Sequence, residues 1–162
     1  MFSRMMKLVN QTDSLYLSAN QQKQLLDYGA SLGRRFAAIR SLERQENAIV
    51  ELALQAWQQA HAELGTPEEF GWDSAENDLR LVLRSLAISH LMDDMDYAEA
   101  RVLRHLRRTL EFADVPADAI RDLFACLVEA VREKLEPADF SQLENDLQRS
   151  VAAAEAGLMA VS

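Results

Sequence analysis

Asp78 is the residue whose placement most needs a chemical reason. In "SAENDLRLVLRSLAISHLM", residues 74–92, Leu79, Val82, Leu83, Leu86 and Ala87 recur at helical spacing and form a core-facing stripe. Asp78 precedes Val82 by one turn on nearly the same face. A carboxylate there can interact with the positive end of the helix dipole, since it lies early in the helix. It can instead face a pocket between helices and accept hydrogen bonds from the N–H groups of a ligand. The residues alone leave both readings open.

Other reactive groupings are sparser. Arg101, Arg104 and Arg108, with His105 among them, share the polar side of a helix whose opposite side carries Leu103, Leu106 and Leu110. They can bind carboxylates, or form a solvated face that balances nearby Asp and Glu. No aromatic residues interleave with them, which argues against a nucleic-acid surface. Asp93, Asp94, Asp96 and Glu99 could attract a cation, but they lack the glycine and terminal Glu of an EF-hand loop, so helix capping and solvated charge are expected instead. His61, His90 and His105 form no i, i+3 or i+4 pair, and haem has no residue-level support beyond them. No nucleotide-phosphate loop, nucleophile elbow or H-E-x-x-H occurs, so a non-enzymatic protein is expected.

The elements that position these residues read as helices. The 162 residues suit one domain, and 49% hydrophobic content with only five Gly and three Pro is an all-helical composition. A net charge of −9 opposes wholesale attraction to nucleic acid or anionic membrane. Cys126 is the single cysteine, so no intramolecular disulfide can form, and it falls in an apolar helical run where inert burial is expected. No run of eighteen apolar residues and no signal-peptide pattern occurs, so a soluble cytoplasmic protein without a membrane span is expected.

Along the chain, residues 3–10 read as a short helix, and Ser18 with Gln21 forms a capping box that opens the next. No proline follows before Leu64, while Gly29, Gly33 and Asn47 mark expected bends that divide the stretch into two or three helices. "GTPEEFGWDS" is a loop, with Asp73 and Glu76 as the expected cap of the Asp78 helix. That helix ends near "DDMD", and Asp96 and Glu99 cap its successor. Pro116 suits the first turn of a helix with core positions Ile120, Phe124, Leu127 and Val131. "EPADF" precedes a last helix carrying Leu143, Leu147, Val151 and Ala154. The total is seven or eight helices.

Three stretches, in this order, resemble the phycobiliproteins, globin-like subunits that hold open-chain tetrapyrroles (bilins) in light-harvesting antennae. They are "YLSANQQKQLLDYGASLGRRFAAI", "DLRLVLRSLAISHLMDD" and "FADVPADAIRDLF". The resemblance implies an all-α, globin-like domain over residues 18–162, preceded by a helical extension over 1–17. In antenna subunits that extension packs against a partner subunit, and Phe2, Met5, Met6, Leu8 and Val9 could serve the same purpose here. A homodimer or a heterodimer with a related globin-like subunit is the implied assembly, with intramolecular packing as the alternative.

The family's pigment-site helix reads Cys-x-Arg-Asp, where the Cys carries the bilin by a thioether and the Asp binds its pyrrole nitrogens. The matching residues here are Ala75-Glu76-Asn77-Asp78, so the Asp is present and the Cys is not. Asn77 stands where the Arg would hold a propionate, and Cys126 lies in another helix. The resemblance therefore implies non-covalent binding of a bilin such as biliverdin or phycocyanobilin. Asp78 would be the acceptor, Phe70 and Trp72 would be stacking neighbours, and Arg80 and Arg84 would stand at the rim. Family members without the attachment Cys include globins associated with bilin-forming enzymes, which makes such an enzyme an implied partner. The expected role is assistance in bilin synthesis, delivery or sensing. The competing role is a pigment-free protein that acts on antenna subunits or bilin enzymes through its N-terminal helix.

Overall fold

Residues 17–66, 69, 72, 74–94, 96–98, 104–112 and 114–158 are described by the computed structural model. The expected helix over 3–10, the extension over residues 1–16, and Phe70, Asp73 and Glu99 lie outside these residues.

α1 (Ala19–Ala60) begins at the expected capping box: the Gln21 N–H donates to Ser18 Oγ at 3.3 Å, and the Ser18 N–H donates to Gln21 Oε1 at 2.8 Å. It then runs unbroken for 42 residues, about 63 Å at 1.5 Å per residue. The expected division into two or three helices at Gly29, Gly33 and Asn47 does not occur. Long-range bonds explain why: Tyr28 and Arg35, seven residues apart on one face, donate to the Leu91 and His90 carbonyls at 3.1 and 2.9 Å. These contacts bracket both glycines, so the helical path is imposed from outside the segment. Asn47 uses its amide oxygen to accept from Arg80 Nε at 3.2 Å, leaving the backbone helical.

α2 (Ala75–Met92) buries Leu79, Val82, Leu83 and Leu86, the stripe that its periodicity predicts. Its C-terminal end is closed by Asp93 in the left-handed conformation (φ 53°, ψ 42°), with the Asp93 N–H on the His90 carbonyl and the Asp94 N–H on that of Ser89. That double closure satisfies carbonyls a helix end would leave open. Arg35 reinforces it by pairing with Asp93 at 3.4 Å. A single turn at Asp96–Ala98 follows, anchored by donation from the Ala98 N–H to Ser89 Oγ.

α3 (Arg104–Phe112) contributes buried Leu106 and Leu110. α4 (Ala117–Lys134) buries Ile120, Phe124, Leu127 and Val131, with Pro116 as the residue just before the first turn rather than within it. α5 (Pro137–Leu158) buries Leu143 and Leu147. Among the described residues there are thus five helices of nine residues or more, with no strand. α1 is the common partner of α2, α4 and α5, and all its buried side chains lie between Ala38 and Trp57. Trp57, fully buried, donates its indole N–H to the Ala119 carbonyl at 2.7 Å, coupling the end of α1 to the start of α4.

No neighbour lies within 4 Å of a Cβ added at Gly29 or Gly33. Each substitution, Gly29→Ala or Gly33→Ala, is therefore expected to stabilise the fold by about 0.5–1 kcal/mol through helix propensity. A lowered urea midpoint in either variant would contradict a continuous α1.

Candidate functional site

Trp72 precedes α2 and is almost wholly buried, so its indole N–H needs an internal acceptor. Its ring stands edge-on to Trp57, with centroids 6.3 Å apart. The N–H meets Asp78 Oδ2 at 2.8 Å, and Ser74 Oγ donates to the same oxygen at 2.8 Å. Asp78 is therefore tied to the residue that begins α2 and to the loop before it. Ser74 is the cap residue of α2 by position, yet its hydroxyl serves Asp78 rather than a backbone N–H.

The second carboxylate oxygen is in a different situation. Among the described residues Asp78 Oδ1 has no hydrogen-bond partner, and the only buried side-chain atom left unpartnered is His90 Nε2. Among the described residues, then, two donors hold Oδ2 and none is seen on Oδ1. Asp78 itself is part-buried. Ala75 packs its methyl group into the core.

Asn77, Arg80 and Arg84 are not gathered around Asp78. At about 100° per residue, Arg80 lies about 200° around α2 from Asp78 and Arg84 about 240°. Arg80 donates to Glu76 at 2.8 Å, to Asn77 at 3.2 Å and to Asn47 of α1. Arg84 makes a two-pronged bond to Glu46 of α1 at 2.7 and 3.0 Å, which raises its guanidinium pKa above the ordinary value. These pairs bridge α1 and α2. Beside them is a groove of about 430 Å³ walled by Ile39, Leu42, Ala87 and Ile88, with Glu46 and Arg84 on its lining. Leu81 is about half exposed and fills no interior space. The sequence places the arginines near Asp78 along the chain, but it carries no local signal for partners more than thirty residues away.

The remaining reactive groups have structural partners. His61 Nε2 lies 3.2 Å from Asp122 and its Nδ1 3.5 Å from Glu63. His90 Nδ1 lies 2.7 Å from Asp146 of α5, which requires the proton on Nδ1 because a carboxylate can only accept. Asp93 pairs with Arg35, and Asp96 lies 3.9 Å from Arg149. No group of three or more metal-ligating side chains forms among the described residues. Arg104 and Arg108 are exposed on α3. Cys126 shares a hollow with Leu52 and Ala56, and burial pushes its thiol pKa up, with Asp122 and Glu129 adding to the effect.

An all-α, globin-like fold with a carboxylate at the start of the second helix defines the class. The chain belongs to the phycobilisome protein family, whose sequence profile matches residues 7–153. Members of that family are structural pigment-binding proteins that carry bilins, so a bilin-related role is the class of function this membership supports. No curated protein matches the chain. Among the described residues no helix is long and apolar enough to cross a membrane.

Asp78→Ala leaves the buried Trp72 N–H without an acceptor, so a loss of about 1–3 kcal/mol is expected in denaturant unfolding without any pigment. Asp78→Asn keeps an acceptor oxygen and should lose less. For Cys126, the raised thiol pKa means that alkylation by iodoacetamide should be slower than for free cysteine at pH 8. Its rate should rise with a midpoint above that of the free amino acid.

Proposed function

We propose that this protein binds an open-chain tetrapyrrole reversibly, without a covalent link, and handles it for synthesis, delivery or sensing rather than catalysing a reaction. The carrying observation is Asp78: one oxygen is fixed by two protein donors, and among the described residues the other receives none. An indole N–H and a pyrrole N–H are the same kind of donor, so the bond from Trp72 shows the carboxylate accepting the chemistry that a bilin offers.

When bound, the pigment supplies a conjugated chromophore with N–H donors and two propionates. Asp78 Oδ1 would accept from the N–H groups, and the charge of the carboxylate strengthens those bonds. Ala75 offers no sulfur, and Cys126 lies on α4 with its thiol held protonated, so neither supports a thioether. Arg80 and Arg84 already neutralise Glu76 and Glu46, which makes them poor propionate clamps unless those pairs open. Without a thioether or a free arginine here, retention rests on reversible contacts. That suits transfer of pigment better than permanent light harvesting.

A second reading has its own observation. Phe36 and Ile88 are 46% and 43% exposed, and Ile88 lines the α1–α2 groove. Such apolar exposure favours a pigment-free protein that docks on antenna subunits, on bilin enzymes, or on a second or related globin-like subunit.

Titration of the purified protein with biliverdin and phycocyanobilin separates the readings. The expected result is a saturable change in the red absorbance with quenching of tryptophan fluorescence. Asp78→Asn should weaken it by about tenfold or more while the fold persists, because the bond to an ionised acceptor is replaced by a neutral one. Absence of binding by both pigments would overturn the bilin reading in favour of the interaction protein.

A further inference from the structure

We infer that Ser74 and Trp72 are positioning residues for Asp78: they hold its carboxylate through Oδ2 so that Oδ1 is presented in one orientation to the N–H groups of a pyrrolic ligand. This rests on the bilin reading and assigns Ser74 and Trp72 a role exerted through Asp78.

The geometry separates the two oxygens by task. An unrestrained aspartate side chain rotates about χ1 and swings both oxygens, and χ2 of a carboxylate is broad and two-fold. Here two donors, each at 2.8 Å, converge on Oδ2, one from four residues upstream and one from six. Trp72 is itself immobilised, being 2% exposed and in edge contact with Trp57, whose N–H is bound to the Ala119 carbonyl. The restraint on the carboxylate therefore extends through two indoles to α4. An acceptor held this way is organised before the ligand arrives, and binding need not freeze its rotation.

Ser74 provides the sharper test because it is exposed and its hydroxyl caps no backbone group. Glycine at a helix N-cap costs only a few tenths of a kcal/mol relative to serine, so Ser74→Gly removes the donor with little effect on the helix. Ser74→Thr keeps a hydroxyl at the same position. Dissociation constants and visible spectra for biliverdin and phycocyanobilin would be measured for the full chain and for Ser74→Gly, Ser74→Thr and Trp72→Phe, each with its urea midpoint.

The expected result is affinity about tenfold weaker in Ser74→Gly, equivalent to about 1.4 kcal/mol, with a shifted pigment band and an almost unchanged urea midpoint. Ser74→Thr should restore the unaltered protein's affinity and spectrum, and Trp72→Phe should reproduce the loss. Should Trp72→Phe not fold, the glycine and threonine pair decides alone. Pigment bound by Ser74→Gly with unaltered affinity and spectrum overturns the positioning role and leaves the bilin reading standing. Failure of the unaltered chain to bind either pigment overturns both.

Discussion

The structure turns on a buried indole that must find an acceptor. Once Trp72 is sealed into the core its N–H cannot be left unbonded, and Asp78 at the start of α2 accepts from it. That requirement fixes the rotation of α2 about its own axis, because turning the helix would carry Asp78 away from the indole. With the rotation set, Leu79, Val82, Leu83 and Leu86 face inward, and Arg80 and Arg84 face the carboxylates and amide of α1. The opposite end of α2 is held by Tyr28, Arg35 and the His90–Asp146 contact, so the helix is restrained at both ends by polar bonds and along its length by apolar packing.

The inward stripes were legible because burial on a helix imposes a period that single residues display. Ile120, Phe124, Leu127 and Val131 carry it on α4, and Leu143 and Leu147 on α5. The Ser18–Gln21 box was legible for a similar reason, since both partners lie within one turn. Gly29 and Gly33 misled because glycine reports only a local preference, and here that preference is outweighed by bonds to α2 from residues on either side. The cap of α2 was read at Asp73, and nothing in the residue types around Ser74 reveals that its hydroxyl is spent on Asp78. The partners of Arg80 and Arg84 were equally hidden, because Asn47 and Glu46 reach them only after the chain has turned back.

Asp78 meets two structural demands together. Its placement early in the helix is favourable on electrostatic grounds alone. Its Oδ2 accepts from Trp72 and Ser74, so this carboxylate is explained by stability whether or not a pigment binds. Ala75, beside this arrangement, packs its methyl group in the core.

The unbroken course of α1 makes the chain between Tyr28 and Trp57 a fixed ruler. Each inserted or deleted residue would turn one half of it by about 100° and slide it by about 1.5 Å against the other. Tyr28 and Arg35 would then point away from the end of α2 while Trp57 stayed on α4. Divergence in length among relatives that keep both attachments must therefore collect in the connections between helices, and within α1 only substitutions can be accommodated.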